Sequence, residues 1–283
     1  MAKDTIFYTH TSLNCRGRLL HLDKPKVMGI LNITPDSFYE ASRVNSIDEI
    51  VDRAGKMLLE GAAILDVGPA SSRPGAVAHT VTQELTRLLP PLEALVKSFP
   101  QAVFSVDTYH SKVARAAVKA GAHIINDISS GDIDEAMIPT VAELGVPYIM
   151  MHMQGTPQTM HLKPEYNDVV SEVMSYFTQK VHAAVRAGIH DIIIDPGFGF
   201  GKTYRQSYEL LHSLELFKMF GFPVMAGLSR KSMIGKVIDE PPENSLNGTT
   251  VVNTIALLMG AKILRVHDVK AAREAIEIVG AME

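Results

Sequence analysis

Asp107, Asn126, Asp195 and Lys231 form a mixed set of hydrogen-bond donors and acceptors, suited to the edges of a flat heterocycle. A carboxylate accepts two parallel N–H bonds, an amide both gives and takes, and a lysine donates to a ring carbonyl. Once buried, every mismatched edge leaves a polar group unpaired, so such a set confers specificity. Arg265 and His267 are two residues apart, which on a strand puts both side chains on one face. Together with Lys231 they gather the groups that hold a phosphate. Ser229-Arg230-Lys231-Ser232 adjoins a predicted helix start, whose free backbone N–H groups favour an anion. The competing reading of Arg265 is an ordinary ion pair with a neighbouring aspartate.

Asn32, Asp66, Asp107, Asn126, His152, Asp195, Arg265 and His267 all fall at or just past the ends of short apolar runs. Helix capping is the alternative for any single Asp or Asn among them. It weakens where a loop follows: Asn32 precedes Ile-Thr-Pro-Asp, and Asp195 precedes Pro-Gly-Phe-Gly-Phe-Gly. Asp66 is the weakest member and reads as an inward structural carboxylate. His152 reads as a pocket wall or a core histidine. The stretch Gly197–Thr203 is not a phosphate loop, because Pro196 stands where the spacing needs a glycine, and Lys202 breaks the dinucleotide pattern. Its glycines instead let a strand-end loop pass close to a ligand. No His-x-x-x-His pair suggests zinc.

The elements that must position these residues follow from a repeated unit. Glu60–Asp66, Ala120–Asn126, Ala187–Asp195 and Met259–Arg265 each carry a glycine where a helix would stop, then an Ile/Leu run, then a polar residue. Glycine accepts the left-handed conformation that ends a helix. A continuous apolar run fits a parallel strand buried on both faces. Val27–Asn32, Val103–Asp107, Val146–Met151 and Pro223–Gly227 supply four more strands, making eight with helical segments between them. Ser46 with Glu49, and Thr80 with Gln83, form capping-box patterns that predict helix starts. The pattern predicts an α/β fold, a (β/α)8 TIM barrel, with an open doubly wound sheet as the alternative. Residues 1–25 read as an N-terminal extension, a hairpin closing the barrel bottom, and 26–283 as one barrel domain. In that barrel the polar residues share one mouth, at the strand C-terminal ends where barrel enzymes place their chemistry.

Composition narrows the class. A chain of 283 residues, 46% hydrophobic, buries a sizeable core without staples. A net charge of −4 argues against nonspecific nucleic-acid binding, which needs basic surface. No run is long enough to span a membrane. Cys15 is the only cysteine, so neither an intrachain disulfide nor a cysteine zinc site is expected. These features, with no signal-like stretch from Met1 to His10, predict a cytoplasmic protein.

Met28-Gly-Ile-Leu-Asn-Ile-Thr-Pro-Asp-Ser-Phe38 resembles the first signature of the dihydropteroate synthases, and Asp66-Val-Gly-Pro-Ala-Ser-Ser-Arg-Pro-Gly-Ala76 the second. Further blocks resemble the family in order: Ser105–Thr108, Gly121–Asp127, Met151–Gly155, Asp195–Lys202, Ser229–Gly235 and Arg265–Asp268. The resemblance implies a (β/α)8 barrel, commonly a homodimer, that condenses a dihydropterin carrying a hydroxymethyl diphosphate with 4-aminobenzoate, with Mg2+ assisting and sulfonamides competing. It implies that Asp107, Asn126, Asp195 and Lys231 hold the pterin beside Met151. Asn32, Arg265 and His267 then bind the diphosphate, Asn32 offering an oxygen to Mg2+. Ser72 and Arg73 help bind diphosphate and shape the aminobenzoate site, which Phe200, Lys231 and Ser232 border. Asp107, Lys231, Arg265 and His267 are the expected catalytic set.

Two departures stand out. Phe38 is followed by Tyr39-Glu40-Ala41-Ser42 rather than the usual Ser-Asp-Gly-Gly, and Ala70 replaces a glutamate in the second loop. They motivate one alternative, a catalytically silent pterin-binding barrel. A methyltetrahydrofolate methyltransferase barrel is another, but it needs no diphosphate site.

Overall fold

In a computed structural model of the chain, the described residues are 10–33, 40–69, 80–160 and 164–282. The chain enters through a hairpin of β1 (Ser12–Cys15) and β2 (Arg18–His21). Arg16 and Gly17 form its two-residue turn, both with positive φ, 57° and 87°. That turn matches the twist of the paired strands.

Eight parallel strands follow: β3 (Lys26–Ile33), β4 (Ile64–Pro69), β5 (Val103–Asp107), β6 (Ile124–Asp127), β7 (Tyr148–Met151), β8 (Ile192–Asp195), β9 (Met225–Ala226) and β10 (Ile263–Val266). Strands β3 to β8 lie side by side in chain order, and β10 joins β3 to β9. A parallel bridge between Ile194 and Val224 links β8 to the chain entering β9 and closes the ring. The closed barrel, rather than the open sheet, is therefore the architecture.

Helices α1 (Glu40–Glu60), α2 (Val81–Ser98), α3 (Ser111–Lys119), α4 (Met137–Leu144), α5 (Val169–Ala187), α6 (Tyr204–His212), α7 (Ser232–Ile238), α8 (Leu246–Leu258) and α9 (Val269–Gly280) alternate with the strands. Gly61, Gly121, Gly188 and Gly260, the repeated helix stops, all have positive φ. The predicted box at α2 forms: the Gln83 N–H donates to Thr80 Oγ1 at 3.3 Å and the Thr80 N–H to Gln83 Oε1 at 3.0 Å. The predicted box at Ser46 does not start a helix, because α1 begins upstream at Glu40. No glycine stands among Tyr39-Glu40-Ala41-Ser42, and Glu-Ala-Ser-Arg propagates a helix far better than glycine. No helix among the described residues is long and apolar enough to cross a membrane.

Alternation along the strands builds the interior. Met28, Ile64, Val103, Ile124, Ile149, Ile193, Met225 and Ile263, one from each strand, form an apolar floor at the N-terminal end. Leu13, Cys15 and Leu22 from the hairpin region pack into it from below. Residues of the opposite parity, such as Leu31, Val67, Val106 and Leu264, face the helices in the main core. One step up each strand from the floor, the same inward parity brings Asp66, Asn126, Met151, Asp195 and Arg265 into the barrel.

Leu13 is fully buried in the floor. We expect Leu13→Ala to lower the unfolding free energy by about 2–5 kcal/mol in urea titration, from lost burial plus a residual cavity. The polar end lies at the other end of the strands, so activity per folded molecule should hold. A midpoint equal to that of the unaltered protein would show that the hairpin does not plug the barrel.

Candidate active site

The inward polar residues meet at the mouth. Gly227, just past β9, marks their convergence: a Cβ there would lie 3.7 Å from Asp195 Oδ2, 3.9 Å from Lys231 Nζ and 3.9 Å from Arg265 Cβ. Asp195, at the end of β8, is buried, and its Oδ1 accepts the Gly197 N–H at 2.8 Å. Burial pushes its pKa up, opposed chiefly by the charge of Lys231. Lys231 precedes α7 and donates to the Phe198 carbonyl, with Nζ 4.7 Å from the centre of the Phe200 ring. Desolvation brings its ammonium down to about 8, although Asp195 favours the charged form.

Arg265 joins the two sides of the mouth. Its Nε donates to Asp66 Oδ2 at 2.7 Å and its Nη2 to Asp107 Oδ2 at 3.0 Å. The ion pair posed as an alternative to anion binding therefore exists. It does not exhaust the side chain, because a guanidinium carries five N–H donors and two are used here. Asp107 sits at the end of β5 with burial pushing its carboxyl up to about 7, against the pull of Arg265. Asn126 donates from Nδ2 to Asp66 Oδ2 at 3.1 Å. Asp66, read from the sequence as an inward structural carboxylate, is thus the hub of a buried cluster.

His267 lies just past β10, where the hydroxyl of Ser229 is 3.0 Å from its Nδ1 and accepts its backbone N–H at 3.2 Å. Arg230 fixes that side of the mouth by pairing with both oxygens of Asp268, at 2.8 and 2.9 Å. Ser232 is exposed at the start of α7, beside Lys231. Met151 is buried with Ile128, Met153 and Met160, and Phe200 and Tyr109 pack on this group. They give the mouth an apolar wall next to Asp195. Asn32 lies near the end of β3, in register with Gly68 of β4, and its backbone carbonyl accepts from Arg53 Nη1 at 3.4 Å. Ser72, Arg73 and Ala70 lie outside the described residues.

Lys202 was missed as a working residue. It is buried, and Nζ contacts His152 Nδ1 at 2.8 Å, Gly197 O at 3.0 Å, Phe200 O at 3.0 Å and His152 O at 3.2 Å. It clasps the loop after β8 to the loop after β7. The fit is tight: a Cβ on Gly197 would sit 2.0 Å from the His152 carbonyl oxygen, and one on Gly201 2.4 Å from that of Gln154. The same loop carries the Phe198 carbonyl and the Phe200 ring that seat Lys231. Burial, then Lys202, hold the His152 pKa down to about 2, so it is a neutral core histidine. The only sequence signal was a lysine closing a glycine-rich loop, set aside there as a failed phosphate loop.

With the geometry in hand, comparison with known proteins is specific. Residues 28–267 match the model of the pterin binding enzyme family. The dihydropteroate synthase of Escherichia coli (strain K12) is 44% identical over 271 residues, covering 95% of each chain. That of Bacillus subtilis is 39% identical over 286 residues, covering 100% of this chain and 97% of the other. Among solved structures, Xanthomonas albilineans dihydropteroate synthase with 4-aminobenzoic acid superposes with a TM-score of 0.88 at 42% identity, covering 97% of this chain and 98% of that one. The same enzyme in complex with 7,8-dihydropteroate gives 0.85 at 39% identity, with 96% and 98% covered. The chain belongs to the dihydropteroate synthases, a family of pterin-binding transferases.

Proposed function

We propose that this chain joins (7,8-dihydropterin-6-yl)methyl diphosphate to 4-aminobenzoate, forming 7,8-dihydropteroate and releasing diphosphate. The observation that carries this reading is the convergence of Asp195, Lys231 and Arg265 around Gly227, with Arg265 bonded onward to Asp107. The relative crystallised with 4-aminobenzoic acid and with 7,8-dihydropteroate supports the same substrates. A methyltransferase would have no use for the spare N–H donors of Arg265.

In this reading Asp195 and Asn126 take the polar edges of the pterin and Lys231 donates to it, while Met151 lines the apolar wall. Arg265 and His267 hold the diphosphate. As the C–O bond to the methylene breaks, their hydrogen bonds and charge stabilise the departing anion. The ionised carboxylate of Asp107 faces the positive charge left on the pterin. The amine of 4-aminobenzoate forms the new C–N bond and gives up a proton to solvent. Phe200, Lys231, Ser232, Ser72 and Arg73 border the aminobenzoate pocket, where a sulfonamide would compete.

Mg2+ fits the donor set. The described residues hold no cluster of three or more His, Cys, Asp or Glu suited to a metal cage. Asn32, near the end of β3, carries an amide oxygen, a hard donor that in this reading would face the diphosphate. A cation that keeps most of its shell as phosphate oxygens and water needs little more from the protein. Bound there, Mg2+ would supply charge neutralisation to the diphosphate.

We also propose a cytoplasmic homodimer. Val237 and Ile238 at the end of α7 and Leu246, Val251 and Leu258 on α8 expose large apolar side chains. A second copy of the chain would cover this face.

Diphosphate release from the two substrates with Mg2+ tests the reaction. Release that depends on 4-aminobenzoate is expected, and its absence with well-folded protein would exclude the reading in favour of a silent barrel. Asp195→Ala should abolish measurable pterin binding in calorimetry, because a ring donor loses its buried acceptor; near-native affinity would remove Asp195 from the site. Asn32→Ala should weaken the Mg2+ dependence of diphosphate binding, and an unchanged Mg2+ titration would refute that role. Lys202→Met leaves three carbonyls and His152 without their donor. We expect it to cost roughly 2–4 kcal/mol of stability and to raise KM through the displaced Lys231 seat, both read from melting and steady-state kinetics.

A further inference from the structure

The side chain of Asp66 has no exposed surface and lies between Asn126 of β6 and Arg265 of β10. One oxygen, Oδ2, accepts from both. The other, Oδ1, is buried and has no hydrogen-bond partner. These two bonds settle two orientations. With Nδ2 of Asn126 turned to Asp66, the amide oxygen is left to accept from a ligand, an assignment fixed by the hydrogen-bond network. With Nε of Arg265 held by Asp66 and one Nη2 hydrogen by Asp107, both Nη1 hydrogens and one on Nη2 remain for an anion.

We propose that Asp66 is the positioning residue of this site: it anchors Arg265 through Nε so that the outer guanidinium donors align on the leaving diphosphate, and it turns the Asn126 amide so that its oxygen meets the pterin. The inference rests on the proposed condensation and adds a residue that touches neither substrate. A positional anchor of this kind must be rigid, and complete burial with two charge-assisted or amide donors on one oxygen makes it so.

Asp66 also bears on Asp107 through their shared arginine. The groups facing Asp107 are Arg265 of β10, Asp66 of β4, Glu84 of α2, Asp127 of β6 and Tyr109 just beyond its own strand. The three carboxylates disfavour its ionised form and Arg265 favours it. Removing the charge of Asp66 deletes one repulsion, which favours the ionised form, so the acid limb of kcat/KM should move to lower pH.

The test is Asp66→Asn in the full-length protein, compared with the unaltered chain. Calorimetry with inorganic diphosphate and, separately, with 6-hydroxymethyl-7,8-dihydropterin needs no turnover, so it decides this proposal even if the condensation reading fails. Both affinities should fall about tenfold, because each ligand loses an aligned partner. In steady state, KM for the pterin diphosphate should rise and the acid limb should drop by about half a pH unit or more. Affinities within twofold of the unaltered protein would overturn the proposal. So would a lower kcat with unchanged KM and an unmoved acid limb, the pattern of a partly folded sample. If Asp66→Asn melts below assay temperature, Asp66→Ser, which leaves room for water beside Arg265 and Asn126, gives the same readouts.

Discussion

Three carboxylates share the mouth of this barrel, and one guanidinium bridges two of them. Asp66, Asp107 and Asp195 are all buried, and a buried carboxylate is costly unless a charge or donors compensate it. Arg265 compensates Asp66 and Asp107 directly, and Lys231 with the Gly197 N–H compensates Asp195. The guanidinium opposes the burial and the neighbouring carboxylates that push the Asp107 carboxyl up. In the proposed reaction the ring and the leaving group therefore meet at one side chain.

What places that side chain is the two-residue period of a parallel strand. Ile263 and Arg265 share the inward face of β10, as do Ile64 and Asp66 on β4, Ile124 and Asn126 on β6, and Ile193 and Asp195 on β8. Each of these four strands contributes its first inward residue to the floor and its second to the polar layer. A one-residue slip in register would turn both outward at once. The floor sealed by the hairpin thus fixes the height at which the polar layer stands.

This periodicity is also why so much was legible in the sequence. Eight strands, the helix-stopping glycines and the polar strand ends are local patterns, and local patterns survive the lack of coordinates. The convergence of Asp195, Lys231 and Arg265 followed from the barrel alone. The role of Asp66 did not, because its partners Asn126 and Arg265 are distant in sequence and nothing local distinguishes a strand-end aspartate that caps from one that anchors. The helix start before Ser46 was misread for the opposite reason: a local cap signal was outweighed by good helix formers upstream.

Lys202 and Lys231 show how far surroundings, rather than residue type, assign a task. Both lysines bond to the loop after β8. Lys202 meets three backbone carbonyls and a histidine nitrogen, more acceptors than an ammonium has protons, and burial drives its pKa well down. Its donors are spent inside the protein, so it can only hold the loop. Lys231 meets one carbonyl and the face of Phe200, which leaves N–H donors for the cavity. The loop that Lys202 clamps is the one that provides both of those contacts. A lysine whose donors are spent inside the protein therefore holds the loop that seats Lys231, just as, in the proposed arrangement, Asp66 holds Arg265 across the barrel.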